Sequence, residues 1–274
     1  MTPGSEVQRL VIDDATIEYT DNGGPGPPLL LVHAGVFADW FVPLAALPEL
    51  AERRIVRIRR AGYASGPDPA GPLTLSDHAD HCAALLRSLE IETADITGHS
   101  SGALICLDFA ARHPLLVSSL VLYEPAPGGS LAGPDDAAVA ERVVGPAIEA
   151  AHAGDIATAF DIFMRFICAP DYRAVIEVSL GPGGLEGAER ESAYFFSDEA
   201  PAVLEWRFGA HEAARIDVPV KVAVGSASPR PVHDVADRVA AWLPRCERVV
   251  IEGADHLLPL RDPGAFARLI ADDD

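Results

Sequence analysis

Short apolar runs rich in β-branched residues alternate with stretches of helical period along most of the chain. In the first twenty residues, apolar positions (Val7, Leu10 to Ile12, Ile17, Tyr19) alternate with polar ones around Asp13-Asp14, which predicts an antiparallel hairpin. Gly23-Gly-Pro-Gly-Pro-Pro28 is a stiff connection that no helix tolerates. Beyond it, the run 29–33 precedes a helical pattern at 37–51. The run 55–58 precedes 74–89, and 94–97 precedes 100–112, with a further run at 120–123. Near the end, 219–224 precedes a pattern at 232–243, and 248–251 precedes one at 263–271. Strands alternating with helices require crossover connections. The prediction is an α/β fold with a mostly parallel, eight-stranded sheet and helices on both faces.

The alternation breaks between 127 and 212. Helical patterns at 136–152 and 154–168 fall there, with a break at Gly181-Pro-Gly-Gly184 and half of the aromatic residues, from Phe160 to Trp206 and Phe208. This stretch reads as a helical cap, 127–212, inserted after the sixth strand of a core made of 1–126 and 213–274. Its aromatics either line an apolar pocket or fasten the cap to the core, and the sequence does not sort them.

Composition narrows the chemistry. The chain has 274 residues, 49% of them hydrophobic, enough for a substantial core. A net charge of −20 makes nucleic acid and anionic membranes poor partners. The only lysine, Lys221, lies in a strand pattern and reads as reaching solvent, which leaves little room for Schiff-base chemistry. Cys82, Cys106, Cys168 and Cys246 form no C-x-x-C pair, and no signal-like N-terminus is seen. They read as reduced thiols of a cytoplasmic protein. The nine histidines lack metal-ligand spacing, so no metal is expected.

The chemistry concentrates at residues 98–102, Gly-His-Ser-Ser-Gly, between a strand run and a helix run. G-x-S-x-G in that setting is a nucleophile elbow. The turn strains the serine backbone, lifts Ser100 Oγ clear of the sheet, and aims the Ser101 amide at a developing oxyanion. A serine hydroxyl needs a base held in one tautomer by a carboxylate. His256, in the Gly-containing loop after the last strand, is the candidate base. Gly35, after the third strand in His33-Ala-Gly35-Val36, is the candidate second oxyanion donor, with Val36 as the second choice. His33 reads as structural. His99, beside the nucleophile, shapes either the elbow or the pocket.

The acid is the difficulty. The loop after the seventh strand reads Gly225-Ser-Ala-Ser228-Pro, with serine where a carboxylate is expected. Asp234 comes later, within the next helix pattern. Glu124 directly follows the sixth strand, where a charge costs several kcal/mol of desolvation unless paired. Glu124 is therefore preferred to Asp234. Asp255, next to His256, reads as solvated.

With these pieces placed, the chain resembles the α/β-hydrolase superfamily over nearly its whole length. Within it, the Ser-Ser-Gly-Ala elbow, the glutamate after the sixth strand and the segment Val224-Gly-Ser-Ala-Ser-Pro229 are similar to the branch of zearalenone-type lactonases. The resemblance implies Ser100 as nucleophile, His256 as base, Glu124 as acid, Gly35 and Ser101 as oxyanion donors, and no cofactor. It also places the cap's Trp206 at the substrate, a small hydrophobic ester or lactone, where Val36 and His99 are expected from their positions beside Gly35 and Ser100; a homodimer is compatible with it. Two departures stand out: Arg59 where many members carry Asp, and a divergent cap. The alternatives are a plain carboxylesterase or C–C bond hydrolase of the same fold and, from another class, a ligand-binding protein that keeps the triad without turnover.

Overall fold

The computed structural model describes residues 6–65, 69–133 and 139–271. Its eight strands are β1 (Gln8–Ile12), β2 (Ala15–Asp21), β3 (Pro28–Val32), β4 (Arg54–Arg59), β5 (Ala94–His99), β6 (Val117–Tyr123), β7 (Val220–Gly225) and β8 (Cys246–Ile251). They form one sheet in the order β1-β2-β4-β3-β5-β6-β7-β8. The β1–β2 and β2–β4 pairings are antiparallel and the other five are parallel. The α/β fold, mostly parallel with helices on both faces, is the one predicted.

Successive strand residues point to opposite faces, and both faces are covered. Leu30 and Val32 of β3, with Leu120 and Leu122 of β6, pack under the helices Leu75–Ser88, Ser101–Arg112 and Arg230–Trp242. Leu29 and Leu31, with Val121 and Tyr123, face Phe41, Leu44 and the C-terminal helix Pro263–Ala271 through Phe266, Leu269 and Ile270. Lys221 does not reach solvent as expected. It is 7% exposed, and its ammonium donates to the Leu269 carbonyl in the last turn of that helix, where the helix dipole favours a cation.

Two segments differ from their patterns. Residues 37–51 do not form one helix; they break into Asp39–Phe41, Val42–Ala45 and Pro48–Leu50. Pro43 and Pro48 each sit at the start of a piece, where their missing N–H costs nothing, and each would break a continuous helix. The pattern predicted over 136–152 starts outside the described residues. It continues as a π-helical turn, Ala140–Val144, and the helix Gly145–His152.

The helical stretch between β6 and β7, read as a cap from the sequence, has its own core. Phe160, Met164, Ile167 and Tyr172 meet Phe195, Phe196 and Ala200, and this cluster closes on Ala34, Val36, Phe37 and Trp40 of the loop after β3. Trp206 and Phe208, by contrast, stack on each other at 5.1 Å and join the cluster beneath the sheet. Among the described residues, no helix is long and apolar enough to cross a membrane.

Candidate active site

The strand order reverses at β3, because β4 lies on one side of it and β5 on the other. At such a switch point the loops after the two central strands diverge and leave a crevice at their carboxyl ends. The loop after β3 carries Gly35 and Val36. The turn after β5 carries Ser100.

Ser100 has φ +56° and ψ −120°, a conformation non-glycine residues adopt only when their surroundings impose it. Its surroundings do impose it. Its amide donates to the Tyr123 carbonyl of β6 at 3.0 Å, and its own carbonyl starts the helix Ser101–Arg112 by accepting from Ala103. A Cβ on Gly98 would lie 2.6 Å from Cys106 Sγ, and one on Gly102 would lie 2.4 Å from the His33 and Val32 carbonyls. Only glycine fits at either place. The amides of the first helical turn have no acceptor within the helix, and that of Ser101 opens this turn.

His256 and Glu124 meet across the sheet edge. His256 Nδ1 lies 2.6 Å from Glu124 Oε2, with the carboxyl wholly buried and His256 3% exposed. An ionised carboxylate only accepts, so in that state the ring proton sits on Nδ1 and the other nitrogen is an acceptor. The remaining carboxylate oxygen, Oε1, accepts from the Gly225 amide at 2.8 Å and from Ser228 Oγ. Glu124 itself stands at φ +46°, pinned by its amide donating to the Ala223 carbonyl. Thus the serine found where a carboxylate was expected donates to the carboxylate one strand away. Asp234 is remote from this pair and bridges Arg230 at 2.7 Å on its own helix.

Asp255 is not solvated as the sequence suggested. It is 5% exposed, accepting from the Leu257 amide at 3.0 Å and from the cap's Ala169 amide at 2.8 Å. Its carbonyl accepts from Tyr123 Oη at 2.6 Å. These contacts fasten the His256 loop to both β6 and the cap.

The loop after β3 is equally constrained. The Gly35 carbonyl accepts from the Phe37 amide and from Trp40 Nε1, both at 2.9 Å, and Val36 between them is forced to φ +73°. A Cβ on Gly35 would sit 2.5 Å from the ring of the cap residue Phe195. His33 is structural, as read from the sequence. It accepts from the Arg60 amide at 3.1 Å through Nε2, so Nδ1 carries the proton and donates to the Ala34 carbonyl at 2.6 Å. Burial pushes its pKa well down, with the Arg60 guanidinium adding to the effect.

Two apolar cavities meet at Ser100. One, of about 80 Å³, is lined by Ser100, Ser101, Ala126, Pro127, Val139, Val144, Phe163, Phe166, Ile167, Phe195, Ala200, Val203 and Leu204. The other, of about 10 Å³, is lined by Ala34, Gly35, Val36, Trp40, Ser100, Phe163, Met164, Ile167, Phe195 and His256. Ser100, Ser101, Gly35, Val36 and His256 therefore converge there. His99 and Trp206 do not line either cavity. His99 is fully buried beside His256, with ring centroids 4.2 Å apart, and packs nearly perpendicular to the Trp40 ring. Burial, then the neighbouring His256, pushes its pKa well down. A larger groove of about 420 Å³ runs past Lys221, Arg245 and Cys246. Its thiol is pushed up to about 11 by burial, unsuited to a nucleophile.

Sequence reasoning missed a buried group beside this site. Arg60 donates to Glu199 Oε1 at 2.9 Å and to the Ala34 carbonyl at 3.2 Å, while Tyr63 Oη also donates to Glu199. Glu199 closes a π-helical turn, Phe195–Glu199, that also presents Phe195 to Gly35. One buried ion pair thus joins the cap to the loop that carries Gly35. Its only sequence signal was an arginine pair ending a strand.

The fold, elbow and histidine loop together define a member of a large hydrolase fold family. A model of the alpha/beta hydrolase family matches residues 29–269, and the chain belongs to that family. It is similar to 2-hydroxymuconate semialdehyde hydrolase of Pseudomonas sp. (strain CF600), 34% identical over 124 residues that make up 43% of each chain. The match thus spans less than half of that relative. Among solved structures, the enol-lactonase of Burkholderia xenovorans LB400 superposes with TM-score 0.75 at 19% identity, covering 97% of this chain and 98% of that one. Naproxen esterase from Bacillus subtilis gives 0.74 at 19% identity, covering 97% and 90%. At such identities the likeness is one of fold.

Proposed function

We propose that the protein is a serine hydrolase that opens lactones or cleaves carboxylic esters through an acyl-enzyme on Ser100. The observation that carries this reading is the 2.6 Å pairing of His256 with buried Glu124, at a cavity shared by His256, Ser100 and Gly35. In this reading His256 takes the Ser100 proton as Oγ bonds to the carbonyl carbon. The Ser101 and Gly35 amides receive the oxyanion, each donor contributing about 3 kcal/mol to the barrier reduction. Glu124 holds the imidazole in its working tautomer and stabilises its charged form. The C–O bond to the leaving oxygen then breaks, and that oxygen takes the proton from His256. Water, activated by His256, releases the acid. In a lactone the leaving alcohol stays tethered, so one hydroxy acid leaves.

The lining supports an ester or lactone over a C–C hydrolase substrate of the muconate kind. Such a substrate carries a carboxylate, and among the described residues lining the two cavities none is Arg or Lys. A buried carboxylate without a cationic partner costs several kcal/mol. Size argues further. Pockets for drug-sized ligands run to about 300–1,000 Å³, so about 80 Å³ suits a small ester or lactone better than a zearalenone-sized macrocycle.

The test is rapid labelling by a fluorophosphonate, lost in Ser100→Ala, together with turnover across small lactones, alkyl esters and β-diketones. Ester or lactone turnover that Ser100→Ala abolishes is expected. Turnover that persists in Ser100→Ala sinks the proposal, and labelling without turnover of any of them favours a ligand-binding role.

A further inference from the structure

We infer that the cap helix Ile156–Ile167 divides the site into two unequal arms, so that the protein takes substrates whose bulk lies on the acyl side. Next to nothing is accepted beyond the leaving oxygen. This rests on Ser100 as nucleophile and His256 as the group that protonates the leaving oxygen.

The helix geometry makes the division. At about 100° per residue, taking Phe163 as zero, Phe166 stands near −60°, Ile167 near +40° and Met164 near +100°. Both cavities are lined by Phe163 and Ile167, only the larger by Phe166, and only the smaller by Met164. One face of one helix therefore sweeps across Ser100 from one arm to the other. Met164 is fully buried and closes the small arm, whereas Leu204, 47% exposed, stands at the mouth of the large one.

Proton delivery fixes which arm is which. A general acid must come within hydrogen-bond reach of the atom it protonates. His256 lines only the small arm, so the leaving oxygen and whatever it carries lie there. About 10 Å³ leaves room for little more than a methyl or methylene. The acyl chain extends the other way, into about 80 Å³ of apolar space that opens past Leu204. For a small lactone ring, an alkyl branch on the carbon next to the carbonyl falls in the large arm. The same branch on the carbon bearing the ring oxygen falls against Met164. Accepted lactones thus carry their apolar branch beside the carbonyl.

Constitutional isomers test this without any variant. We expect methyl pentanoate to be hydrolysed with kcat/KM more than about tenfold above butyl acetate. We also expect α-propyl-γ-butyrolactone to be opened more than about tenfold faster than γ-propyl-γ-butyrolactone. Met164→Ala should raise butyl acetate relative to methyl pentanoate, and Phe166→Ala should lengthen the accepted acyl chain and leave the alcohol range as it is. Equal rates or the reverse order within the isomer pairs overturn the assignment, as does failure to turn over either pair. Fluorophosphonate labelling of Ser100 in the same samples separates the outcomes. With labelling intact the division of the site falls alone; without it the nucleophile falls too.

Discussion

At the scale of single residues, the proposed mechanism gives Glu124 the work that the loop after β7 leaves undone. Glu124→Gln should lower kcat on the order of a thousandfold or more in steady-state assays, because the imidazole loses its tautomer and its counter-charge. Asp234→Asn, which removes an ion pair with Arg230 on its own helix, should stay within about twofold. Ser228→Ala removes one of two donors to Glu124 Oε1 and should cost about tenfold in kcat with KM little changed. Buried histidines set the pH response of stability. His33, His78 and His99 all have pKa values well below 6.5, chiefly through burial. Above about pH 6.5 both folded and unfolded chains hold them neutral. Below it the unfolded chain binds protons that the folded one refuses, so stability falls as pH falls. A denaturant midpoint that drops between pH 7.5 and pH 5.5 is expected, less steeply in His78→Leu; a flat profile would contradict their neutral burial.

At the scale of elements, the cap and the loop after β3 are built against each other. Gly35→Ala drives a methyl into the Phe195 ring and should lower kcat at least tenfold, and adding Phe195→Ala should restore part of it. The Arg60–Glu199 pair joins the same elements. Arg60→Met alone should destabilise by about 3–5 kcal/mol in denaturant melts, by leaving Glu199 buried and unpaired, and Arg60→Met with Glu199→Met should cost less. These elements also mark the limit of the sequence reading. The central strands were legible because they are short apolar runs buried on both faces, the first hairpin because its apolar and polar positions alternate, and the elbow because glycine was required twice around one serine. Glu124 was legible as a charge with no reason to follow a buried strand. The pairing of Arg60 with Glu199 joins residues 139 apart, and nothing local announces it. Residues 37–51 misled because their apolar spacing is helical while Pro43 and Pro48 divide it. Asp255 misled because its hydrogen-bond partners, the Leu257 and Ala169 amides, are backbone groups that no side-chain pattern reveals, with the Arg261 guanidinium farther off at 3.6 Å.

At the scale of the whole molecule, a net charge of −20 meets a site lined almost wholly by apolar groups. The surface field repels itself, so added salt should raise the melting temperature. A neutral ester feels little of that field, and its kcat/KM should change less than about twofold between low and moderate ionic strength, as initial rates would show. A strong salt dependence would instead indicate a charged substrate. Finally, the backbone at Ser100 is held in a region of φ and ψ that suits glycine. Ser100→Gly should accordingly fold more firmly than the parent, by about 1 kcal/mol, while losing all nucleophilic chemistry. The fold would thus grow sturdier by falling silent, and a chain released from its task has a downhill route to an inert descendant.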